Sequence, residues 1–537
     1  MERNIVFMEL HTEHRGSEPL GFCILTAYMR QKGYSSSVYS YNYNEMSIAD
    51  ILEVINAETP WIIVLSPVND NVDFLLKLIK NVKETHPEII IILDGYFATY
   101  NGNELMDKYE GINYIIKGES ETTFVELVKC LEVGGAVALV EGVFYRDGIN
   151  VKETVERPLI SDLDTLPWPV REIFQENLAR NPLSYARIYA SRGCVGSCTF
   201  CRVNSFYAKQ KDNKWRGRSI KNVVDEIEYL SLNHNIKRYL FEDSSFENPG
   251  EIGFDRIEEF SREILQRNLK INFRVFFRAE TIIKRPSLLS LLKKAGLVNA
   301  FVGFESGNDM DLKLFNKRAT FNDNLECIEL LHKNNIYISC GFIMFHPYSN
   351  FDAIEQNIDF LNKSPIGYLS RYYSTRLQSH KGTRIYNSLL TDQLLYKPHT
   401  DSMKADFSYN YLDKRIFWLV NQLAHKYGDF GEYRVLDQEF IDAEFMLQHL
   451  EEYKAYGDDI KSIIDNYQVC LRKLEEETKE TLVSHMSYLV EMAKTEKLDE
   501  IIDWSTMDEK IQMVYSALKS LVINTLIKLR RKKIVLI

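Results

Sequence analysis

No stretch of this chain stays apolar for the roughly 18 residues that span a bilayer, so no transmembrane anchor is expected. The opening MERNIVFMEL holds acids near both ends and only residues 5–8 as an apolar core, which reads as a strand and not as a signal peptide. A cytoplasmic protein is the expectation. Positive charge is also short. Lys+Arg is 65 against Asp+Glu 76, a net charge of −11, which argues against broad, charge-driven wrapping of nucleic acid, and no such partner is expected. Cysteine is scarce: eight in 537 residues cannot build a disulfide scaffold. Internal repeats and low-complexity tracts are absent, and 45% apolar with 26% charged residues excludes wholesale disorder. The length suggests three or four domains.

The fold class expected is α/β followed by helices. Residues 1–145 alternate β-branched strand runs (5–10, 61–66, 88–95, 112–118) with helical spacing (20–34, 72–87, 122–131). Continuous apolar strands between helices imply a parallel sheet covered on both faces, a doubly wound, Rossmann-like domain that takes ligands beyond the strand carboxyl ends. A connector spans 146–182, where ERPLISDLDTLPWPVRE carries three prolines that discourage regular structure. Over 183–394 a second series follows. Its expected strands are 186–193, 237–243, 271–279, 299–306, 336–345 and 369–377, and its helices are 219–233, 254–267, 286–295, 321–334 and 352–363. Six steps predict a partial (β/α)6 barrel, short of the usual eight. Residues 395–537 lose the strand pattern and predict a helical domain. Its aromatics Phe407, Tyr409, Tyr411, Phe417 and Trp418 read as core packing, with a cap over the barrel mouth as the alternative. The run KLRRKK (528–533) reads as a solvated helix end, with contact to an acidic partner or a membrane surface as the alternative.

Five cysteines are scattered, while Cys194, Cys198 and Cys201 crowd into SRGCVGSCTFC directly after a predicted strand. Three thiolates at this spacing suit three irons of a cubane iron–sulfur cluster and leave the fourth iron open to an outside ligand. Structural zinc is the alternative. It wants four protein ligands, and the next histidine is as far away as His234.

This loop resembles that of the radical S-adenosylmethionine (SAM) enzymes, with Phe200 before the last cysteine also matching. The resemblance extends over residues 186–390. It implies a [4Fe–4S] cluster on Cys194, Cys198 and Cys201, and reductive cleavage of SAM to a 5′-deoxyadenosyl radical. It also implies an electron donor such as flavodoxin or ferredoxin. Beyond the cluster no catalytic residue is assigned. Residues that fall where this family places SAM are Phe200, Asp243, Arg278, Glu305, Ser306 and Gly307. Glu242 should face away from Asp243, and Arg274 and Arg278, four apart on a strand, should share a face. His346 reads as a structural histidine.

The N-terminal phrases EPLGFCILTAYMRQKGY, LSPV, LDGYFAT and IIKGESETTF, with the connector, resemble the cobalamin-binding subgroup of that family over about 390 residues. The resemblance implies cobalamin between this domain and the barrel. Candidate contacts are Ser66 and Gly95 at strand ends, and Gly118 and Gly142, where a glycine permits close approach. Two departures stand out. There is no D-x-H-x-x-G, hence no histidine below the cobalt, and Asp94 replaces the first glycine of an expected Gly-Gly, where it could crowd or repel the cofactor. A domain that has lost its ligand is the alternative. Methylthiotransferase activity would need a second cluster, and only Cys23 and Cys130 precede the loop. A non-catalytic binding module is disfavoured by the intact triplet. The reaction implied is methylation of an unactivated carbon or a phosphinate phosphorus in a natural-product or peptide substrate. Radical rearrangement, cyclisation or oxidation is the alternative.

Overall fold

Alternation within the first strand sets the architecture of the N-terminal half. In β1 (Ile5–His11) Val6, Met8 and Leu10 pack into one core, and Ile5 and Phe7 into another on the opposite face. A strand buried on both faces needs helices on both sides, and the sheet is built accordingly. The structure is a computed structural model that describes residues 3–12, 18–181, 184–207, 214–247, 250–396, 409–428, 431–451, 453–497 and 502–534.

The sheet adds β2 (Ser36–Asn42), β3 (Ile62–Leu65), β4 (Ile90–Leu93), β5 (Tyr114–Ile116), β6 (Val143–Asp147) and β7 (Asn150–Glu153) in the order β2-β1-β3-β4-β5-β6-β7. The first five are parallel, and the hairpin β6–β7 closes the edge antiparallel. Helices Ile48–Glu58, Val72–Thr85 and Tyr96–Lys108 supply one core, and helices Leu20–Gln31 and Ser120–Glu132 the other. The doubly wound class is as expected from the sequence. Four elements of this sheet and its cover were not read there: β2, whose SSVYSYN lacks a β-branched run, β6, and the helices Ile48–Glu58 and Tyr96–Lys108. The connector region contains more order than its prolines suggest, with β7 at its start and the helix Glu172–Arg180 near its end.

By contacts the chain divides into two compact units. The first runs to Phe273 and includes Ser379–Asn387; the second holds Arg274–Gln378, Ser388–Tyr396 and the described residues from Tyr409 onward. In the first unit β8 (Ala186–Ile188) pairs parallel with β11 (Arg238–Phe241). The short β9 (Ser191–Gly193) pairs antiparallel with β10 (Trp215–Gly217). The division falls within β12 (Asn272–Phe277). In the second unit β13 (Leu297–Glu305) pairs parallel with β14 (Tyr337–Phe342). Helices Ile220–His234, Glu251–Gln266, Ser287–Ala295, Phe321–Lys333 and Phe351–Lys363 lie within a few residues of their expected positions. The sixth step is reduced to one parallel bridge, Phe345 with Arg376, preceded by a 3-10 turn at Ser370–Tyr373.

The rest of the second unit is mainly helical, apart from an antiparallel bridge of Leu395 with Tyr409: Arg384–Thr391 crosses the boundary, and Lys414–Tyr427, Arg434–Glu451, Asp458–Lys494 and Ser505–Arg531 follow. Among the five aromatics singled out there, Tyr409 and Tyr411 are buried, Phe417 is 44% exposed, and Phe407 lies outside the described residues. No described helix is long and apolar enough to cross a membrane.

Candidate functional site

The three-cysteine loop leaves β9 through a residue that must be glycine. Gly193 has φ +86°, and a Cβ there would lie 1.7 Å from the Lys214 carbonyl oxygen across the β9–β10 pair. Residues 194–201 then run without regular structure, and all three cysteines are partly exposed and in no disulfide. The Gly196 amide donates to the Cys194 sulfur at 3.3 Å. The Ile385 amide donates to the Thr199 carbonyl at 3.0 Å, and Arg384 donates to the Ser197 carbonyl, fixing the loop from outside. Among the described residues no three metal-binding side chains are drawn together at ligand spacing. The donor set of three partly exposed thiols on one irregular loop nevertheless fits three irons of a cubane cluster with one iron left open.

Asp243 lies just past β11 and is buried. Its carboxylate accepts from the Ala190 amide at 2.9 Å and from the Ser191 hydroxyl, so it pins the backbone that leads into the cysteine loop. Burial pushes its carboxyl up to about 6 against the pull of those two hydrogen bonds. Glu242 points elsewhere and pairs with Arg187 at 3.3 Å.

At the carboxyl edge of the N-terminal sheet, Ser66 follows β3, Gly95 follows β4 and Gly118 follows β5; Gly142 precedes the antiparallel β6 at the same edge. Gly95 (φ +96°) is held to glycine by Ser66, whose hydroxyl would sit 2.8 Å from an added Cβ. Gly118 (φ +92°) faces open space, with nothing within 4 Å of an added Cβ. Gly142 is different: its neighbours are the Lys117 carbonyl and Thr123, so its freedom serves the β5–β6 junction. Asp94 does not crowd this edge. It is 8% exposed, and its carboxylate accepts from the Gly95 amide at 2.7 Å and from the Ser120 hydroxyl. Burial pushes its carboxyl up to about 6. Open backbone at Gly118, a small hydroxyl at Ser66 and the aspartate turned inward fit close approach of a corrin or its nucleotide tail.

The loop and this edge are tied together by residues that the sequence did not single out. Arg192, two residues before Cys194, pairs with Glu119 at 3.2 Å and with both oxygens of Glu121. Arg216 on β10 pairs with both oxygens of Glu119 at 2.8 and 2.9 Å. Glu119 also accepts from the Ile160 amide at 2.8 Å. Burial alone would raise the Glu119 carboxyl, but the Arg216 hydrogen bonds and the Arg192 charge hold it below the usual range. Burial likewise opposes the Arg192 charge, and Glu121 outweighs it. Nearby, the Tyr96 ring, next to Gly95, meets Phe206 edge-on at 4.5 Å, five residues past Cys201.

In the second unit Glu305 ends β13 in the left-handed region (φ +65°), where the register with β14 shifts. Its carboxylate lies against two glycines, one on each strand. An added Cβ at Gly303 would meet it at 2.4 Å and one at Gly341 at 3.0 Å. Lys317 stands 3.6 Å from it. Ser306 and Gly307 have another task than an open contact. The Ser306 hydroxyl is fully buried between Asn357 (2.8 Å), Asp311 (3.1 Å) and the Asn308 amide (3.0 Å), and the Gly307 amide donates to Asn357 at 2.6 Å. Arg278 lies one residue past the strand that carries Arg274. Strand β12 ends at Phe277, Arg278 stands at the N-cap position of the next helix and pairs with Glu280, and Arg274 stacks over Phe445 at 4.0 Å. His346 is buried, with one ring nitrogen 3.0 Å from Asp311. Phe200 is half-buried within the cysteine loop.

Comparison with known proteins bears on the same segments. The sequence model of the Radical SAM superfamily matches residues 188–361, and that of the B12 binding domain matches residues 16–128. An uncharacterized methyltransferase of Pyrococcus horikoshii is 23% identical over 378 residues, 70% of this chain and 79% of that protein. An anaerobic magnesium-protoporphyrin IX monomethyl ester cyclase of Synechocystis is 25% identical over 399 residues, 73% of this chain and 77% of that protein. Among solved structures, the cobalamin-dependent SAM radical enzyme OxsB, with aqua-cobalamin and SAM bound, shares the fold at a TM-score of 0.69 with 18% identity, covering 99% of this chain and 81% of that one. The chain belongs to the radical SAM enzymes that carry an N-terminal B12-binding domain, with a [4Fe–4S] cluster, SAM and cobalamin as cofactors.

Proposed function

We propose that this enzyme is a cobalamin-dependent methyltransferase that methylates an unactivated carbon of a natural-product or peptide substrate. The observation that carries this reading is the ion-pair clamp of Glu119 and Glu121 on Arg192. It fastens the cysteine loop to the helix that starts beside Gly118, so the two cofactor-binding edges are held as neighbours in one unit. Bound there, the cluster supplies an electron for SAM cleavage and cobalamin supplies a carrier for the methyl group.

The chain's residues divide the remaining work. Cys194, Cys198 and Cys201 hold three irons. Gly95 and Gly118 let the cobalamin approach the sheet edge, with Ser66 as a hydroxyl contact. Asp243 sets the backbone before the loop through Ala190 and Ser191. Glu305 receives the SAM amino or ribose hydroxyl groups, and Ser306 and Gly307 hold its turn in shape through Asn357. An external one-electron donor of the flavodoxin or ferredoxin kind completes the system.

Methyl-labelled SAM tests the reaction. Label in the product, with S-adenosylhomocysteine and 5′-deoxyadenosine formed together, is the expected result. 5′-Deoxyadenosine beside an unlabelled, rearranged product refutes methylation. That outcome favours the second reading, radical cyclisation or oxidation, which the likeness to anaerobic cyclases supports. The ligand set is tested by the triple Cys194→Ala, Cys198→Ala, Cys201→Ala variant, which should lose the cluster's iron and its paramagnetic signal.

A further inference from the structure

The helix Ser505–Arg531 buries Met507, Ile511, Val514, Leu518, Thr525 and Leu529 at helical spacing, and its last two turns show a different outer face. There Ile523 is 54%, Leu526 38% and Ile527 45% exposed, three aliphatic side chains one turn or less apart. They run directly into Lys528, Arg530, Arg531, Lys532 and Lys533, five cations in six residues. The rest of the chain has 60 cations against 76 acids, so this end is a positive patch on an acidic protein. Lys532 is the one that pairs, at 2.6 Å with Asp459 of the helix Asp458–Lys494. Lys528, Arg530, Arg531 and Lys533 make no ion pair among the described residues. One or two cations suffice to complement a helix carboxyl end, so the end dipole does not account for four unpaired ones beside exposed aliphatics.

We propose that this end of the helical region is an interfacial docking surface for an anionic lipid bilayer. Ile523, Leu526 and Ile527 would enter the acyl boundary while the cations meet the headgroup phosphates. Aliphatic side chains bordered by Lys and Arg on a surface helix are the physical signature of such binding. Nucleic acid would use the same cations, but residues 516–533 hold no aromatic ring for base stacking, and Tyr515 before them is covered by Lys519 at 4.5 Å. An acidic protein partner would leave the three aliphatics without a stated role. The inference is independent of the reaction proposed above.

Co-sedimentation of the full chain with vesicles tests it. Vesicles of phosphatidylcholine with 30% phosphatidylglycerol should pellet the protein at low salt, and pure phosphatidylcholine vesicles should not. The Arg530→Gln/Arg531→Gln variant should lower partitioning about 30-fold, from about 1 kcal/mol per basic residue near the surface. The Ile523→Ser/Ile527→Ser variant should lower it independently at equal charge. All four positions are exposed, so unchanged thermal unfolding is the control for folding. No pelleting with anionic vesicles, or pelleting that neither variant reduces, overturns the proposal. Binding that depends on the arginines but not the isoleucines, and that a duplex oligonucleotide competes away, also overturns it and assigns the patch to nucleic acid.

Discussion

Replacing Arg192 with glutamine should weaken the first unit and its cluster together. Among the described residues Arg192 is the one cation paired with Glu121, whose side chain is 5% exposed, while Glu119 keeps Arg216. The variant therefore leaves one buried carboxylate unpaired and one still satisfied. Removing one partner of a buried pair costs about 3–5 kcal/mol. Removing the other partner, Glu121→Gln, leaves Arg192 with Glu119 and should cost about 1–2 kcal/mol. For a unit of this size each kcal/mol moves the unfolding temperature about 2–4 °C, so Arg192→Gln should lower it by about 6–20 °C. Arg192→Lys keeps the charge but not the paired hydrogen bonds to Glu121, and should fall between. The assay is scanning calorimetry under argon, with iron content and the electron paramagnetic resonance spectrum measured on the same samples. Iron per chain should fall in the order wild type, Glu121→Gln, Arg192→Lys, Arg192→Gln. The double variant Glu121→Gln/Arg192→Gln should recover part of the loss, because no carboxylate is then stranded. An Arg192→Gln protein within about 1 °C of wild type, with full iron, would refute the clamp.

Gly193→Ala should be harsher, since its Cβ falls 1.7 Å from a backbone carbonyl at φ +86°, and neither strand of β9–β10 can give way cheaply; native-like iron loading contradicts this. Asp94→Asn should change the pH dependence of stability. Below about pH 4 the carboxyl is protonated in folded and unfolded chains alike; between about 4 and 6 the unfolded chain ionises while the folded one resists; above about 6 the folded chain carries the whole penalty. Asparagine still accepts from Ser120 and Gly95, so the variant should be more stable by up to about 3 kcal/mol at pH 8 and no different near pH 4; a difference that shrinks as pH rises refutes the assignment. Glu305→Gln should weaken SAM binding about 10- to 100-fold, the worth of one charge-assisted hydrogen bond, with the SAM-free cluster spectrum unchanged; equilibrium dialysis decides, and unchanged affinity removes Glu305 from the site.

What the sequence made legible is chemistry carried by neighbours in the chain. Cys194, Cys198 and Cys201 announce themselves because their spacing alone decides whether they can share a cluster. The β-branched runs at β1, β3 and β4 announce a doubly covered sheet for the same local reason. The helix Tyr96–Lys108 was missed because YFATYNGNELMDK contains a glycine mid-helix and few apolar residues. In the structure Gly102 is needed there, since an added Cβ would meet the Phe144 ring at 2.6 Å. The sixth strand was expected from alternating residues over 369–377, yet its first part turns as a 3-10 helix that the Asp437 carboxylate caps through the Ser370 amide at 2.7 Å. That carboxylate comes from 67 residues later in the chain, beyond any local pattern.

The clamp is the same lesson at the site itself. Glu119 and Glu121 meet Arg192 and Arg216 across 71 to 97 residues, and in sequence they look like ordinary surface charges on a helix start and two strands. Burial turns them into a device, because an unpaired carboxylate there is costly and the pair therefore acts as a fixed joint. Asp94 reverses in the same way. Read alone, an acid at a glycine position of the cobalamin edge threatens the ligand with charge. In place, it is enclosed with Ser120 and the Gly95 amide, and its raised carboxyl reduces the charge it presents as pH falls toward about 6. Its side chain braces the turn that puts Gly95 at the edge, so the departure from a Gly-Gly pair is compatible with an open cofactor site. The size of that compensation is what the pH dependence of Asp94→Asn measures, and a brace, unlike a crowding charge, should survive the substitution with the edge intact.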